Sequence, residues 1–189
     1  MIEGRHALVT GGGTGIGLAV ARALVAQGAQ VTITGRRKSV LEEAADNGLH
    51  PQVMDVTDEA SVRDGIKAAI AARGPVQICI PNAGIAEGRA LMKTETDFWR
   101  RTMATNLDGA FRTIRDCLGP MREAGWGRVV AIASVAGVRG LKGAPAYTAS
   151  KHGLVGLMRG LSEDYLRTGL TFNALCPGFF PSKMSQGLL

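Results

Sequence analysis

Two textures alternate along the chain. Six short apolar runs, at 7–10, 31–34, 52–54, 76–80, 129–133 and 171–175, are rich in β-branched residues and bounded by Gly, Pro or Asn. Runs this short and this evenly apolar suit strands buried on both faces, as in a parallel sheet. Between them lie longer stretches, 15–27, 59–73, 96–124 and 148–167, whose apolar residues recur at helical spacing. Such alternation predicts an α/β fold, one doubly wound parallel sheet with helices on both faces. No low-complexity linker or charge block interrupts it, so a single domain is expected over 1–189.

Composition narrows the class. With 189 residues, 46% of them hydrophobic and 20% charged, the chain can bury on the order of 70% of its unfolded surface. That excludes disordered, collagen-like and disulfide-scaffold classes. No apolar run approaches the ~20 residues of a membrane span. Met1-Ile2-Glu3-Gly4-Arg5 leads straight into a strand-like segment without a secretory apolar region, which predicts a cytoplasmic protein. Cys79, Cys117 and Cys176 stand far apart and match no metal or redox spacing, so buried free thiols and no metal are expected. The formal net charge is +6, but the basic residues are scattered apart from Arg36-Arg37-Lys38. Without a motif or a long basic stripe, nucleic acid is not an expected partner.

The unusual residues cluster by position. Gly11–Gly17 follows the first run, Asp55 ends the third, and Asn82 follows the fourth. Ser134 follows the fifth run and Pro177-Gly178 the sixth. All stand beyond the carboxyl ends of predicted strands, where open α/β sheets bind ligands. Thr10-Gly11-Gly12-Gly13-Thr14-Gly15-Ile16-Gly17 joins a strand to a helix. Its glycines let the backbone approach a pyrophosphate, and the helix start offers free N–H groups to it. An NAD site carries an acidic residue about 20 positions further on. This chain instead has Arg36-Arg37 and no carboxylate until Glu42. Two guanidiniums suit a 2′-phosphate, which favours NADP over NAD. Tyr147 and Lys151 are four apart at the start of a predicted helix, so they share a face. An ammonium beside a phenol can lower its pKa and prepare it for acid–base work.

Taken together, these segments resemble the short-chain dehydrogenase/reductase family, in its smaller single-domain group. The likeness runs in order through Thr10–Gly17, Asp55-Val56, Asn82-Ala83-Gly84, Asn106 in Asn106-Leu107-Asp108-Gly109-Ala110-Phe111, Ser134, Tyr147-Thr148-Ala149-Ser150-Lys151 and Pro177-Gly178. It implies a Rossmann fold and an NAD(P)-dependent oxidoreductase that moves a hydride between nicotinamide and a carbonyl or secondary alcohol. Tyr147 is then the general acid or base. Lys151 holds the nicotinamide ribose and lowers the Tyr147 pKa, Ser134 polarises the substrate carbonyl, and Asn106 holds a water for proton relay. The cofactor is to be met by Gly11, Thr14, Gly15, Ile16, Gly17, Arg36, Arg37, Asp55, Val56, Asn82, Ala83, Gly84, Pro177 and Gly178, together with Tyr147 and Lys151.

Within the family, Lys151-His152-Gly153 and the segment 168–179 resemble the 3-oxoacyl reductase and polyketide ketoreductase branch. A 3-oxoacyl thioester is therefore the expected substrate, with Arg100 and Arg101 either part of a basic patch for its carrier or a solvated helix face. A homotetramer or homodimer through 96–124 and 148–167 is implied as well. Two departures stand out: Pro81 where the family has Asn, and Ser182 where a threonine follows the Pro-Gly. Family members also continue beyond the substrate loop that opens at Phe179-Phe180-Pro181-Ser182, through a lid helix and a seventh strand expected to be missing here. The rival readings are a non-catalytic dinucleotide-binding sensor or assembly protein, and an NAD-dependent dehydrogenase of a small alcohol or sugar.

Overall fold

Among the described residues six strands form: β1 (His6–Thr10), β2 (Gln30–Gly35), β3 (Leu49–Val53), β4 (Val76–Ile80), β5 (Gly127–Ile132) and β6 (Leu170–Leu175). They belong to a computed structural model that describes residues 2–45 and 48–178. All pair in parallel, in the order β3-β2-β1-β4-β5-β6. The direction of winding reverses between β1 and β4, and the two loops leaving those strands part there. This is the doubly wound Rossmann sheet expected from the alternation.

The sheet is buried on both faces, which is why its strands read as unbroken apolar runs. Ala7, Val9, Val31, Ile33, Ile78 and Ile80 pack against α1 (Gly15–Ala26) and α2 (Lys38–Ala44) through Ala21, Leu41 and Ala44. On the other face, Leu8, Cys79, Val129 and Phe172 meet Val62 and Ile66 of α3 (Glu59–Arg73), Ile114 and Met121 of α5 (Gly109–Glu123) and Leu154 and Met158 of α6 (Pro145–Asp164). Cys79 and Cys117 are buried and Cys176 partly so, all as free thiols. At the amino end of the sheet, the Nδ1 of His6 lies 2.8 Å from the Gly74 carbonyl, which can only accept. Nε2 is left to accept from the Thr32 hydroxyl at 2.8 Å, and burial lowers the pKa of this neutral ring.

Local chemistry sets the boundaries. Asp58 caps α3 by accepting from Ser61 N at 3.0 Å, and Gly74 ends it at φ +79°. Pro145 opens α6 at its first turn, three residues earlier than the apolar periodicity indicates, because a proline there gives up only an N–H the helix cannot use. The stretch 96–124, read as one helix, is α4 (Thr96–Met103), a π-helical turn (Ala104–Asp108) and α5 in line. One widened turn leaves the apolar periodicity almost unbroken and escapes a pattern reading. The third strand begins at Leu49 rather than 52; His50 and Pro51 hid it, and a proline is tolerated because β3 is an edge. The seven residues of α2 are too few for a periodic signal.

Pro81 stands just past the end of β4, where no ladder N–H is required. Its carbonyl accepts from Ile132 N at 2.9 Å, so the departure leaves the β4–β5 seam intact. Phe179 through Ser182, and with them the predicted substrate loop, lie outside the described residues. Among the described residues no helix is long and apolar enough to cross a membrane, and no group of three or more His, Cys, Asp or Glu could hold a metal.

Candidate active site

The loop after β1 is held open by its neighbours rather than by its own contacts. Thr10 Oγ accepts from Asn82 N at 3.0 Å and Ala83 N at 2.9 Å, while Asn82 Nδ2 donates to the carbonyls of Thr10 at 2.9 Å and Gly11 at 3.3 Å. Asn82 therefore ties the β4 loop to the glycine turn, and Thr10, absent from the sequence-level site, is the other half of that clasp. Gly11 sits at φ +64°, and a Cβ on Gly17 would collide with Asn82 Nδ2 and the Gly11 carbonyl. Two different needs, left-handed backbone and bare contact, thus fix glycine at both ends of the turn. Thr14 is extended, makes no side-chain cap, and no acid occupies the first turn of α1. The first N–H groups of α1 are left to an anion.

Beyond β2 and β3 the cleft continues over Arg36, Arg37, Asp55 and Val56. Both arginines are exposed, and neither has an ion pair among the described residues, since Glu42 pairs with Lys38 at 3.6 Å. One Asp55 carboxylate oxygen accepts from Thr57 N and Oγ at 2.9 and 2.8 Å. A free basic pair at the end of β2 fits a 2′-phosphate, and the bare glycine turn fits a pyrophosphate. This donor set matches a phosphorylated dinucleotide.

The other half is built on β5, the π-helical turn and α6. Ser134 follows β5 and accepts from Ala136 N at 3.1 Å. Tyr147 and Lys151 stand one turn apart on α6, with the Lys151 ammonium 5.8 Å from the phenol ring centre. Lys151 is 5% exposed and donates to the Ile132 carbonyl at 2.9 Å. Burial pulls its pKa down to about 8, with the Cys176 thiol acting the other way. Tyr147 differs from the expectation that Lys151 lowers its pKa. Burial raises it, the nearby Ser134 side chain opposes the rise, and the ammonium is engaged with Ile132 instead.

Asn106 lies in the π-helical turn, buried behind Gly84. Its Oδ1 accepts from Ile85 N at 2.8 Å, and its Nδ2 donates to the Ile85 carbonyl at 2.9 Å and to Ser150 Oγ at 3.1 Å. Ser150 in turn donates to the Tyr147 carbonyl at 2.8 Å. Asn106 thus braces the β4 loop against α6, and its side chain is occupied in doing so. Ser150 stands inside the Tyr-x-x-x-Lys segment, and only its contact with Asn106 marks it as part of the site. The Asn106 Oδ1 and Lys151 Nζ lie 3.3 and 3.6 Å from where a Gly84 Cβ would stand, so a side chain at this position would crowd both.

One open cleft of about 1,400 Å³ takes in most of the predicted set: Gly11, Thr14, Gly15, Ile16, Arg36, Arg37, Asn82, Ala83, Gly84, Ser134, Tyr147, Lys151, Pro177 and Gly178. Asp55 and Val56 line its adjoining recess. Gly17 and Asn106 line neither; they act from beneath. Pro177 joins the wall by accepting from Val135 N at 2.8 Å.

A parallel α/β sheet whose switch-point cleft joins a glycine turn to a Ser-Tyr-Lys set defines a nicotinamide-type oxidoreductase fold. The short chain dehydrogenase family model matches residues 5–189, and the chain belongs to that family. Among its relatives is a Streptomyces virginiae protein that bears the name of a monensin polyketide synthase ketoacyl reductase. It is 39% identical, over 96% of this chain and 73% of the relative. The 3-oxoacyl-[acyl-carrier-protein] reductase FabG of Salmonella typhimurium is 36% identical, over 98% of this chain and 78% of the relative. Among solved structures, actinorhodin polyketide ketoreductase with NADPH superposes with a TM-score of 0.95 at 34% identity. That match covers 100% of this chain and 76% of the ketoreductase.

Proposed function

We propose that the protein is an NADP-dependent carbonyl reductase whose substrate is a 3-oxoacyl thioester. The observation that carries this reading is the single cleft that brings Ser134, Tyr147 and the buried Lys151 together with the glycine turn and with Arg36 and Arg37, which have no ion pair among the described residues. The relatives' names, ketoacyl and 3-oxoacyl reductases, point to the same substrate class.

The chain's residues divide the work. Gly11, Thr14, Gly15, Ile16 and the start of α1 receive a pyrophosphate, Arg36 and Arg37 a 2′-phosphate, and Asp55 and Val56 an adenine. Asn82, Ala83, Gly84, Pro177 and Gly178 wall the cleft. NADPH, when bound, supplies a hydride to the carbonyl carbon. Ser134 and Tyr147 donate hydrogen bonds to the carbonyl oxygen. As negative charge develops there, Tyr147 Oη gives up its proton, an O–H bond forms on the product and a phenolate is left. A phenol whose pKa burial has raised is fully protonated at neutral pH, as reduction requires. Lys151, freed from Ile132, stabilises the phenolate, and Asn106 keeps the β4 loop against α6.

The test is NADPH consumption with acetoacetyl-coenzyme A and unrelated ketones, with NADH in parallel. Turnover of the thioester with NADPH supports the reading; turnover of only a small alcohol or sugar with NAD overturns its substrate and cofactor. NADPH binding without any turnover favours a non-catalytic role. The reading carries with it a cytoplasmic homotetramer or homodimer built through 96–124 and 148–167; a stable monomer in light scattering contradicts that part.

A further inference from the structure

Along one wall of the cleft stands a charge cluster with no part in the chemistry above, Glu87 and Arg101 lining the cleft and Arg89 behind them. Glu87 follows β4, and its Oε1 accepts from Arg89 Nε at 3.0 Å and Nη2 at 2.8 Å, its Oε2 from Arg101 Nη2 at 2.9 Å. The buried ring of Phe98 lies beneath both guanidiniums, 4.4 Å from the Arg89 carbon and 5.6 Å from that of Arg101. Thr94 Oγ fixes the segment by donating to the carbonyls of Arg89 and Ala90 at 3.3 and 3.1 Å. Glu87 and Arg101 line the same cleft as Ser134 and Tyr147. We propose that this cluster receives an anionic group, a phosphate or a carboxylate, on the tail of the carbonyl substrate, and that Glu87 holds its place until the substrate arrives.

Two arginines on one carboxylate leave a net positive charge, and Arg101 spends one of its five N–H donors on Glu87. Phe98 orders both guanidiniums whether or not Glu87 is engaged, so the donors are arranged before an anion comes. Glu87 and both arginines are partly solvated, and ion pairs screened by water contribute little, so an incoming anion displaces Glu87 at small cost. Charge-assisted, bidentate contacts with the anion then more than replace it. The inference rests on the proposed function only for where the carbonyl sits.

The test uses matched probes at saturating NADPH. Acetoacetyl-coenzyme A is paired with acetoacetyl-pantetheine, the same thioester arm without the phosphates and nucleoside, and levulinate with methyl levulinate. For each pair the ratio of kcat/KM, charged over neutral, is the readout. Arg101→Gln is expected to lower a pair's ratio about tenfold, through KM. Glu87→Gln frees both arginines and is expected to raise the same ratio about threefold. Movement in the coenzyme A pair identifies a phosphate as the anion, movement in the levulinate pair a carboxylate, and either supports the proposal.

Ratios that stay within about twofold for both pairs overturn it. So does a fall in both variants, which is what an ion pair with a purely structural role would give. Absence of turnover with every probe is a failure of the proposed function alone. Calorimetric binding of 4′-phosphopantetheine against pantetheine, and of levulinate against methyl levulinate, then decides the site. Tighter binding of a charged member, lost in Arg101→Gln, upholds it; equal binding within both pairs overturns it.

Discussion

The two halves of the cleft are built by different means. Around Gly11 and Gly17 the chain offers backbone, held by Thr10 and Asn82, and the geometry leaves no room for a Cβ. Around Ser134, Tyr147 and Lys151 it offers side chains whose protonation is set by burial and by each other. The first half is steric and indifferent to pH. The second carries a buried cation at a cost to the fold, and its working state depends on which groups hold protons.

The largest effect on cofactor binding is expected on the steric side. Gly17→Val would drive side-chain atoms into Asn82 and the Gly11 carbonyl, opening the clasp between β1 and β4. NADPH affinity should fall by roughly 100-fold or more, read by fluorescence titration. If affinity is kept, the turn is not the phosphate cradle.

On the electrostatic side, Lys151→Met should abolish turnover yet stabilise the fold. The pKa of Lys151 falls from 10.5 to about 8 through burial. At about 1.4 kcal/mol per pH unit that is a cost of roughly 3 kcal/mol, and losing the bond to Ile132 returns about 1 of it. The unfolded chain binds the extra proton between about pH 8 and 10.5, so wild-type stability rises with pH across that window. The variant's gain, about 2 kcal/mol, should therefore be whole below pH 8, shrink as pH rises, and become a loss of about 1 kcal/mol above 10.5, as followed by thermal unfolding. A gain independent of pH would remove the buried cation from the account.

A smaller effect is expected from Arg36→Ala with Arg37→Ala, because both side chains are solvated. The preference for NADPH over NADH should drop about tenfold in KM. Equal loss for the two cofactors would refute a 2′-phosphate contact.

The steric half was legible in the sequence and the electrostatic half only partly so. Gly-x-x-x-Gly-x-Gly after an apolar run declares a turn whose purpose is close approach, and Arg36-Arg37 declares its charge one strand later. Tyr147 and Lys151 declare a shared helix face. Their protonation does not appear in a spacing, because it depends on how deep α6 lies and on the Ile132 carbonyl, which belongs to another strand. For the same reason Asn106 reads as a motif residue, while its bracing of Ile85 and Ser150 needs the π-helical turn that aims it. Glu87 between Arg89 and Arg101 joins a loop to a helix 14 residues on, a contact that no local pattern announces.

The central claim is that Tyr147 delivers the proton in NADPH-dependent carbonyl reduction. Its most direct test is a single-turnover measurement with NADPH already bound, comparing the wild-type protein with Tyr147→Phe on acetoacetyl-coenzyme A. The account predicts NADPH oxidation by the wild type and a rate at least about 100-fold lower in the variant, with NADPH affinity nearly unchanged. Oxidation at the wild-type rate in Tyr147→Phe would contradict it.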